Sequence, residues 1–251
     1  AVIELRDVHK KFGRHEVLDG VNFSVEKGET VALLGPSGTG KSVLLKHIIG
    51  LIKPDSGEVL VDGVSVPNLG RKQLSKLRQK IGYAFQNGAL FDSMSVYENI
   101  RLGISDESCY RDRGFCDSRV VECLELVNLG HDVGRLMPAS LSGGMRKRVG
   151  IARAIAGHPE YLLYDEPTSG LDPVNADAMD ALIKQLQEEL KVTSIVVSHD
   201  VRGSFKVADR IALLDHGKIR KVGTAEEFMA AKDEVVRQFL ERVFEVAELE
   251  A

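Results

Sequence analysis

The chain has 251 residues, 43% of them hydrophobic, and a net charge of −4 from 33 Lys+Arg against 37 Asp+Glu. That supplies enough apolar material for one full core, or one core plus a small subdomain. It leaves no basic surplus of the kind that marks a nucleic-acid binder. No stretch approaches the roughly 18 consecutive apolar residues that span a bilayer, and no signal-peptide pattern opens the chain. The three cysteines, Cys109, Cys116 and Cys123, fit no common zinc or disulfide framework, so reduced thiols in a cytoplasmic protein are expected.

Short strand-like runs begin at Val2–Leu5 and Val21–Val25 and continue with the fully apolar Thr30–Leu34. Gly35-Pro36-Ser37-Gly38-Thr39-Gly40-Lys41-Ser42 follows that strand and opens a helical run, Val43–Ile49. This is the G-x-x-x-x-G-K-[ST] phosphate loop in its required strand-to-helix context. The glycines let successive backbone N–H groups face phosphate oxygens, and the helix adds its positive end. Lys41 would reach the β- and γ-phosphates of a nucleotide, and the Ser42 hydroxyl would ligate Mg²⁺.

Asp62-Gly63 is a tight-turn dipeptide between Glu58–Val61 and Val64–Val66, which predicts a small antiparallel sheet beside a parallel one. The next strand is Ile81–Phe85; strand signals then stop until Pro159. The intervening block reads as a helical insert. Asp106–Asp117 is taken as a charged surface loop, Ser118–Leu129 as a helix stopped by Gly130, and Met145–Ala156 as another. Leu141-Ser142-Gly143-Gly144-Met145 is open to two readings: a plain serine-capped helix start, or a second anion site whose glycines leave N–H groups free.

Tyr161–Tyr164 delivers Asp165-Glu166. Alone, two acids at a strand end are compatible with simple solvation. Beside a phosphate loop they provide a Mg²⁺ carboxylate and a base or water-positioner, typically worth about 10²–10⁴-fold in rate. Strands Ser194–Ser198 and Ile211–Leu214 follow, with Gly217 marking a hairpin. The alternation of strands and helices predicts an α/β fold with a sheet buried on both faces.

Phosphate loop, strand with Asp-Glu, and serine-glycine-glycine about 20 residues before it together resemble the ATP-binding cassette (ABC) ATPases, over nearly the whole chain. The resemblance implies a P-loop NTPase (RecA-like) core with an antiparallel β subdomain and an inserted helical subdomain. It divides the chain into 1–86 with 158–225 as the nucleotide-binding core, 87–157 as the helical subdomain and 226–251 as a C-terminal helical extension. It implies ATP and Mg²⁺ as cofactors and a head-to-tail pair of chains, with Ser142, Gly143 and Gly144 of one clamping the γ-phosphate held by the other. By the same resemblance Phe12 stacks on adenine, in place of the commoner tyrosine. Gln86 contacts Mg²⁺ and water, Ser169-Gly170-Leu171-Asp172 crosses to the partner site, and His199 contacts the γ-phosphate and attacking water. Glu166, His199, Lys41 and Gln86 form the implied catalytic set. Gly35, Pro36, Ser37, Gly38, Thr39, Gly40, Lys41 and Ser42 join Phe12 in binding ATP.

Met145 stands where glutamine is usual. With Gly40-Lys41-Ser42-Val43-Leu44-Leu45-Lys46-His47-Ile48-Ile49-Gly50, Phe85-Gln86-Asn87-Gly88-Ala89-Leu90-Phe91-Asp92-Ser93 and the run Leu141-Ser142-Gly143-Gly144-Met145-Arg146-Lys147-Arg148-Val149, it resembles the ATPase of Mla and MCE-type phospholipid transport systems. That implies a membrane permease partner, a lipid-binding MCE-type protein and a peripheral position at the cytoplasmic face of the inner membrane. A polar-solute importer subunit and a soluble, non-transport ABC ATPase are the competing readings. Leu90, Phe91 and Tyr97 are either core of the insert or a permease-docking patch. Thr224-Ala225-Glu226-Glu227 reads as a capping box. Val236, Phe239, Leu240, Val243 and Ala247 beyond it recur at helical spacing, for packing on the chain's own domain or for a partner.

Overall fold

The computed structural model describes residues 1–249, with side chains described as far as Glu241. The first half of the chain order is β1 (Ile3–Phe12), β2 (His15–Val25), β3 (Thr30–Leu34), α1 (Lys41–Ile48), β4 (Ser56–Val61), β5 (Val64–Ser65), α2 (Arg71–Gln79), β6 (Ile81–Ala84), α3 (Val96–Arg101), α4 (Glu107–Arg111) and α5 (Arg113–Leu126). It continues with α6 (Gly143–Ile155), β7 (Tyr161–Asp165), α7 (Pro173–Leu190), β8 (Thr193–Ser198), α8 (Val201–Val207), β9 (Arg210–Asp215), β10 (Lys218–Gly223), α9 (Ala225–Met229) and α10 (Glu234–Leu249). The chain forms two compact units, residues 1–70 with 195–251, and residues 71–194.

In the first unit β2-β1-β4-β5 form an antiparallel sheet. The two short N-terminal strands expected from sequence are one long hairpin, with Phe12 paired to His15. Its distal half is polar and looked like loop. The ladder runs on through register shifts between Leu5 and Lys11, and the Lys11–Glu16 ion pair (3.2 Å) lies across it. A second run, β10-β9-β3-β8, has β3 parallel to β9 and β9 antiparallel to β10. Every residue of β3 is buried, which is why it reads as an unbroken apolar run. Both tight turns foreseen at Asp62-Gly63 and His216-Gly217 have two left-handed residues, φ 51 and 74 and φ 45 and 74, the geometry that matches strand twist in a hairpin.

The tail belongs to this unit's core. The capping box at Thr224 is formed and starts α9. Phe228, Val236 and Leu240 bury against Ala32, Leu34, Val201, Ile211 and Leu213. Val243 and Ala247, the rest of the expected stripe, have side chains outside the described residues.

In the second unit β6 and β7 run parallel, Ile81 opposite Tyr161, and α3, α5 and α6 pack together. Residues Asp106–Asp117, expected as a loop, are largely helical. Asp106 accepts from the N–H groups of Ser108 and Cys109 (2.8 and 3.1 Å) to start α4, and Asp112 accepts from Phe115 N (3.0 Å) to start α5. Two acids that read as loop charge are N-caps. They also put the start of α5 at Arg113 instead of Ser118. The helix ends at Leu126, before the expected stop at Gly130, because Asn128 takes the left-handed conformation (φ 57). Buried Arg119 donates to the carbonyls of Ile155 and Ala156 (2.6 and 3.0 Å), satisfying the end of α6. All three cysteines are free thiols.

Candidate active site

The phosphate loop and His199 lie in the first unit. Gly35 directly follows β3, and a Cβ there would collide with the Leu214 carbonyl, so only glycine fits. Gly40, the N-cap of α1, has φ 100 and contributes no side-chain cap. The leading N–H groups of α1 are therefore not taken by a capping side chain. Lys41 is buried, and its Nζ donates to the carbonyls of Gly35 (2.7 Å) and Pro36 (3.0 Å). The ammonium is thus held across the loop where phosphate oxygens would replace those carbonyls. Thr39 Oγ1 donates to Pro36 O (2.8 Å) and pins the turn. Pro36, Ser37 and Gly38 are exposed. Phe12 is 48% exposed at the end of β1, so its ring is open to a stacking partner, as are those of Phe85, Phe91 and Phe115. His199 is exposed directly after β8, and Asp200 then caps α8 by accepting from Gly203 N (3.1 Å).

The second unit carries the acidic pair, Gln86 and the serine-glycine segment. All five residues of β7 are buried, including Asp165. Tyr83 on β6 donates its hydroxyl to Asp165 Oδ2 at 2.9 Å. Burial first, then the Asp165 charge, pushes the Tyr83 phenol well above its usual range, so it stays a donor. A hydrogen bond to a charged acceptor contributes about 1.5–3 kcal/mol. Glu166 has φ 52. For a residue with a Cβ this left-handed conformation costs about 1–2 kcal/mol. Its carbonyl accepts from Ser169 N (3.3 Å) and from the buried ammonium of Lys147 (3.1 Å).

Gln86 follows β6 and donates through Nε2 to Ser169 Oγ (3.3 Å). The chain then passes through left-handed Gly88 and Ala89 (φ 74 and 45). Arg153 of α6 fastens both by donating to their carbonyls (2.7 and 2.8 Å). Asn99, fully buried, accepts from Phe91 N (2.8 Å) and donates to the carbonyls of Phe91, Met94 and Ser95. Phe91 itself is 54% exposed. Leu90 and Tyr97 are half-buried, with the Tyr97 hydroxyl bonded to Asp117, and burial plus that bond raises its pKa to about 12. Ser142 caps α6 by accepting from Met145 N (3.2 Å), while Gly143 is exposed with nothing near where a Cβ would sit. The serine thus caps the helix and leaves its glycine face open. Asp172 is an N-cap as well, accepting from Asn175 N (3.1 Å).

Tyr83 and Arg153 escaped the sequence reading because neither lies at a motif position, and Lys147, inside the run Leu141–Val149, was given no role there. Lys147 was detectable: it sits four residues before Ile151 and eight before Ile155, a lysine on an otherwise apolar stripe of α6.

A strand–phosphate loop–helix in an α/β chain, with an acidic pair closing a second buried strand, defines a nucleotide-hydrolysing class of protein. The family model of the ABC transporter matches residues 18–169. MlaF of Haemophilus influenzae, an intermembrane phospholipid transport system ATP-binding protein, is 38% identical over 239 residues, covering 95% of this chain and 90% of that protein. The probable ribonucleotide transport ATP-binding protein mkl of Mycobacterium leprae is 39% identical over 238 residues, covering 95% of this chain and 68% of that one. The dimeric post-hydrolysis structure of the cassette MJ0796, bound to ADP and Pi, matches with a TM-score of 0.81 at 34% identity, covering 88% of this chain and 98% of the other. Clostridium perfringens cbiO1, part of the cbiONQ ABC transporter complex, matches with a TM-score of 0.82 at 30% identity, covering 99% of this chain and 98% of the other. The chain belongs to the ABC transporter family and is an ATP-binding, ATP-hydrolysing member of it. Among the described residues no helix is long and apolar enough to cross a membrane.

Proposed function

We propose that this ATPase works as a head-to-tail pair at the cytoplasmic face of the inner membrane and drives a permease that moves phospholipid, alongside an MCE-type lipid-binding protein. The observation that carries the cargo is the 38% identity to a phospholipid-transport ATPase across nine-tenths of that relative. Pairing is supported by the dimeric form of the MJ0796 cassette and by the open glycine face at Gly143. In this reading residues 1–86 with 158–225 form the nucleotide-binding core, 87–157 the helical subdomain and 226–251 an extension.

Phe12 stacks on adenine, the 35–42 loop wraps the phosphates, and Lys41 neutralises the β- and γ-phosphates. In this reading the Ser42 hydroxyl, the Asp165 carboxylate and the Gln86 amide oxygen would hold Mg²⁺, each a hard oxygen donor of the kind that ion takes, and within the second unit Tyr83 orients that carboxylate. A Mg²⁺ held by these residues would supply charge neutralisation at the phosphates. Glu166 orients and deprotonates the attacking water, and His199 contacts the γ-phosphate. Ser142, Gly143 and Gly144 of one chain clamp the γ-phosphate of the other. The permease docks beside the segment after Gln86. Exposed Phe91 and a groove of about 350 Å³ lined by Arg78, Tyr83, Leu102 and Arg153 support this placement.

The test is reconstitution of the native complex in vesicles. ATP-dependent transfer of phospholipid, lost in Glu166→Gln while ATP binding persists, is the expected result. Transfer of a ribonucleotide, the cargo named for mkl, or of an amino acid, and none of phospholipid, would replace the cargo with a polar solute.

A further inference from the structure

α6 has the serine-glycine segment at its first turn and Lys147 one turn further on. Lys147 is 8% exposed, and its Nζ lies 3.1 Å from the Glu166 carbonyl oxygen. That carbonyl already accepts the N–H of Ser169, so hydrogen-bond satisfaction alone does not call for a lysine. A methionine would fill the same space without a buried ammonium, whose desolvation is costly. Burial indeed lowers the Lys147 pKa, with the Glu166 charge opposing it. What the ammonium adds is a charge-assisted tie between α6 and the peptide of a residue held in the left-handed conformation.

We propose that Lys147 is a positioning residue: it fixes the Glu166 peptide to α6, so that the seating of Ser142-Gly143-Gly144 on the partner's γ-phosphate sets the aim of Glu166 in its own subunit. This rests on the paired-ATPase reading above and adds to it a route within one chain from the serine-glycine segment to the water-activating carboxylate. Lys147 touches neither nucleotide nor water in this role. Its effect passes through the backbone of Glu166, where a displacement of about 1 Å can cost up to 10²-fold in rate.

The test compares Lys147→Met, which keeps the volume, with Lys147→Arg, which keeps the charge, in the full-length protein. Lys147→Met is expected to lower kcat about 10-fold or more, with KM for ATP and ATP-dependent dimerisation within about two-fold of wild type. Lys147→Arg should recover most of that loss. In a Glu166→Gln background, followed by single-turnover hydrolysis, Lys147→Met should produce no further fall, since the group it positions is gone. Wild-type kcat in Lys147→Met overturns the proposal. So does an equal loss in the Met and Arg variants accompanied by a lowered melting temperature, or an undiminished extra loss in the Glu166→Gln background. A wild-type chain that hydrolyses ATP only as a monomer would sink the paired reading itself, and the route with it, whatever Lys147 does.

Discussion

Gly150 lies in the middle of α6, where alanine would ordinarily stabilise a helix by about 1 kcal/mol. Here the sign should reverse. A Cβ on Gly150 would sit 2.8 Å from Gly88 Cα and 3.1 Å from Gly88 O. Carbon atoms rest at about 3.5–4.0 Å, so helix and loop must part by roughly 0.7–1.2 Å. Both sides of the contact are backbone, and Arg153 pins the loop from one turn further along α6 with bonds of 2.7 and 2.8 Å. Overpacking of this kind costs about 1–3 kcal/mol, which outweighs the propensity gain and leaves a net loss of about 1 kcal/mol. In a chain of this size that lowers the melting temperature by about 2–4 °C. Gln86 lies two residues before Gly88, so turnover should fall about 10-fold as its amide shifts. Gly114→Ala is the control: it is exposed in α5, its added Cβ would meet only Asp112 Oδ1 at an ordinary 3.5 Å, and the change should stabilise slightly. Calorimetry and a steady-state ATPase assay measure both variants. A Gly150→Ala protein that melts higher than wild type with unchanged kcat would refute the packing argument.

Tyr83→Phe removes the donor to Asp165 and should lower kcat by about 10–150-fold without loss of ATP binding, the range that about 1.5–3 kcal/mol for one hydrogen bond to a carboxylate supports; steady-state kinetics beside an ATP-binding isotherm checks it. His47 is buried in α1 with its Nδ1 2.7 Å from Val43 O, and burial lowers its pKa, opposed by Asp55 and reinforced by Lys10. The unfolded chain then takes up the proton first, so stability should fall as pH drops below about 6.5. Asp55, also depressed, acts only at lower pH, below its ordinary carboxylate range. A melting-temperature series between about pH 7.5 and 5.5 should therefore flatten in His47→Gln. Leu240→Ala should cost about 2–4 kcal/mol by chemical denaturation, because Leu240 fills the core around Phe228 and Val236. A loss below about 0.5 kcal/mol would mean the tail does not pack as described.

What was legible in the sequence is what local chemistry dictates. β3 was read to the residue because an apolar run buried on both faces has no competing period. Asp62-Gly63 and Gly217 marked their turns because few residues tolerate two successive left-handed positions. The polar half of the β1–β2 hairpin was missed because its pairing is long-range and its residues are charged. Asp106 and Asp112 were read as loop residues because the same side chain serves turns and caps, and only the N–H groups it meets decide which. In the candidate site the motif residues were visible, but the groups that hold them were not. Tyr83, Arg153 and Asn99 act on carboxylates and carbonyls that are distant in sequence, a relation no spacing rule expresses.

Two of the strained positions of the second unit share one support. Ala89 and Glu166 are both non-glycine residues with positive φ, 45 and 52, and each would relax by about 1–2 kcal/mol if freed. Both carbonyls are instead held by cations of the same helix: Arg153 reaches Ala89 and Gly88, and Lys147 reaches Glu166. Lys147 and Arg153 lie six residues apart on α6, about 9 Å along a helix axis. The segment after Gln86 and the residue after Asp165 therefore cannot be repositioned independently unless one of these ties breaks. Backbone contact tightens the arrangement, since a Cβ on Gly88 would meet the Arg146 carbonyl at 2.6 Å. An α6 that shifts as a rigid body must then carry the glutamine segment and the glutamate together. Strain held at two points by one element favours two discrete arrangements over a gradual one, because releasing either tie lets its segment fall into an unstrained conformation. In the paired reading proposed above, that behaviour would hold turnover back until the serine-glycine end of the same helix is engaged.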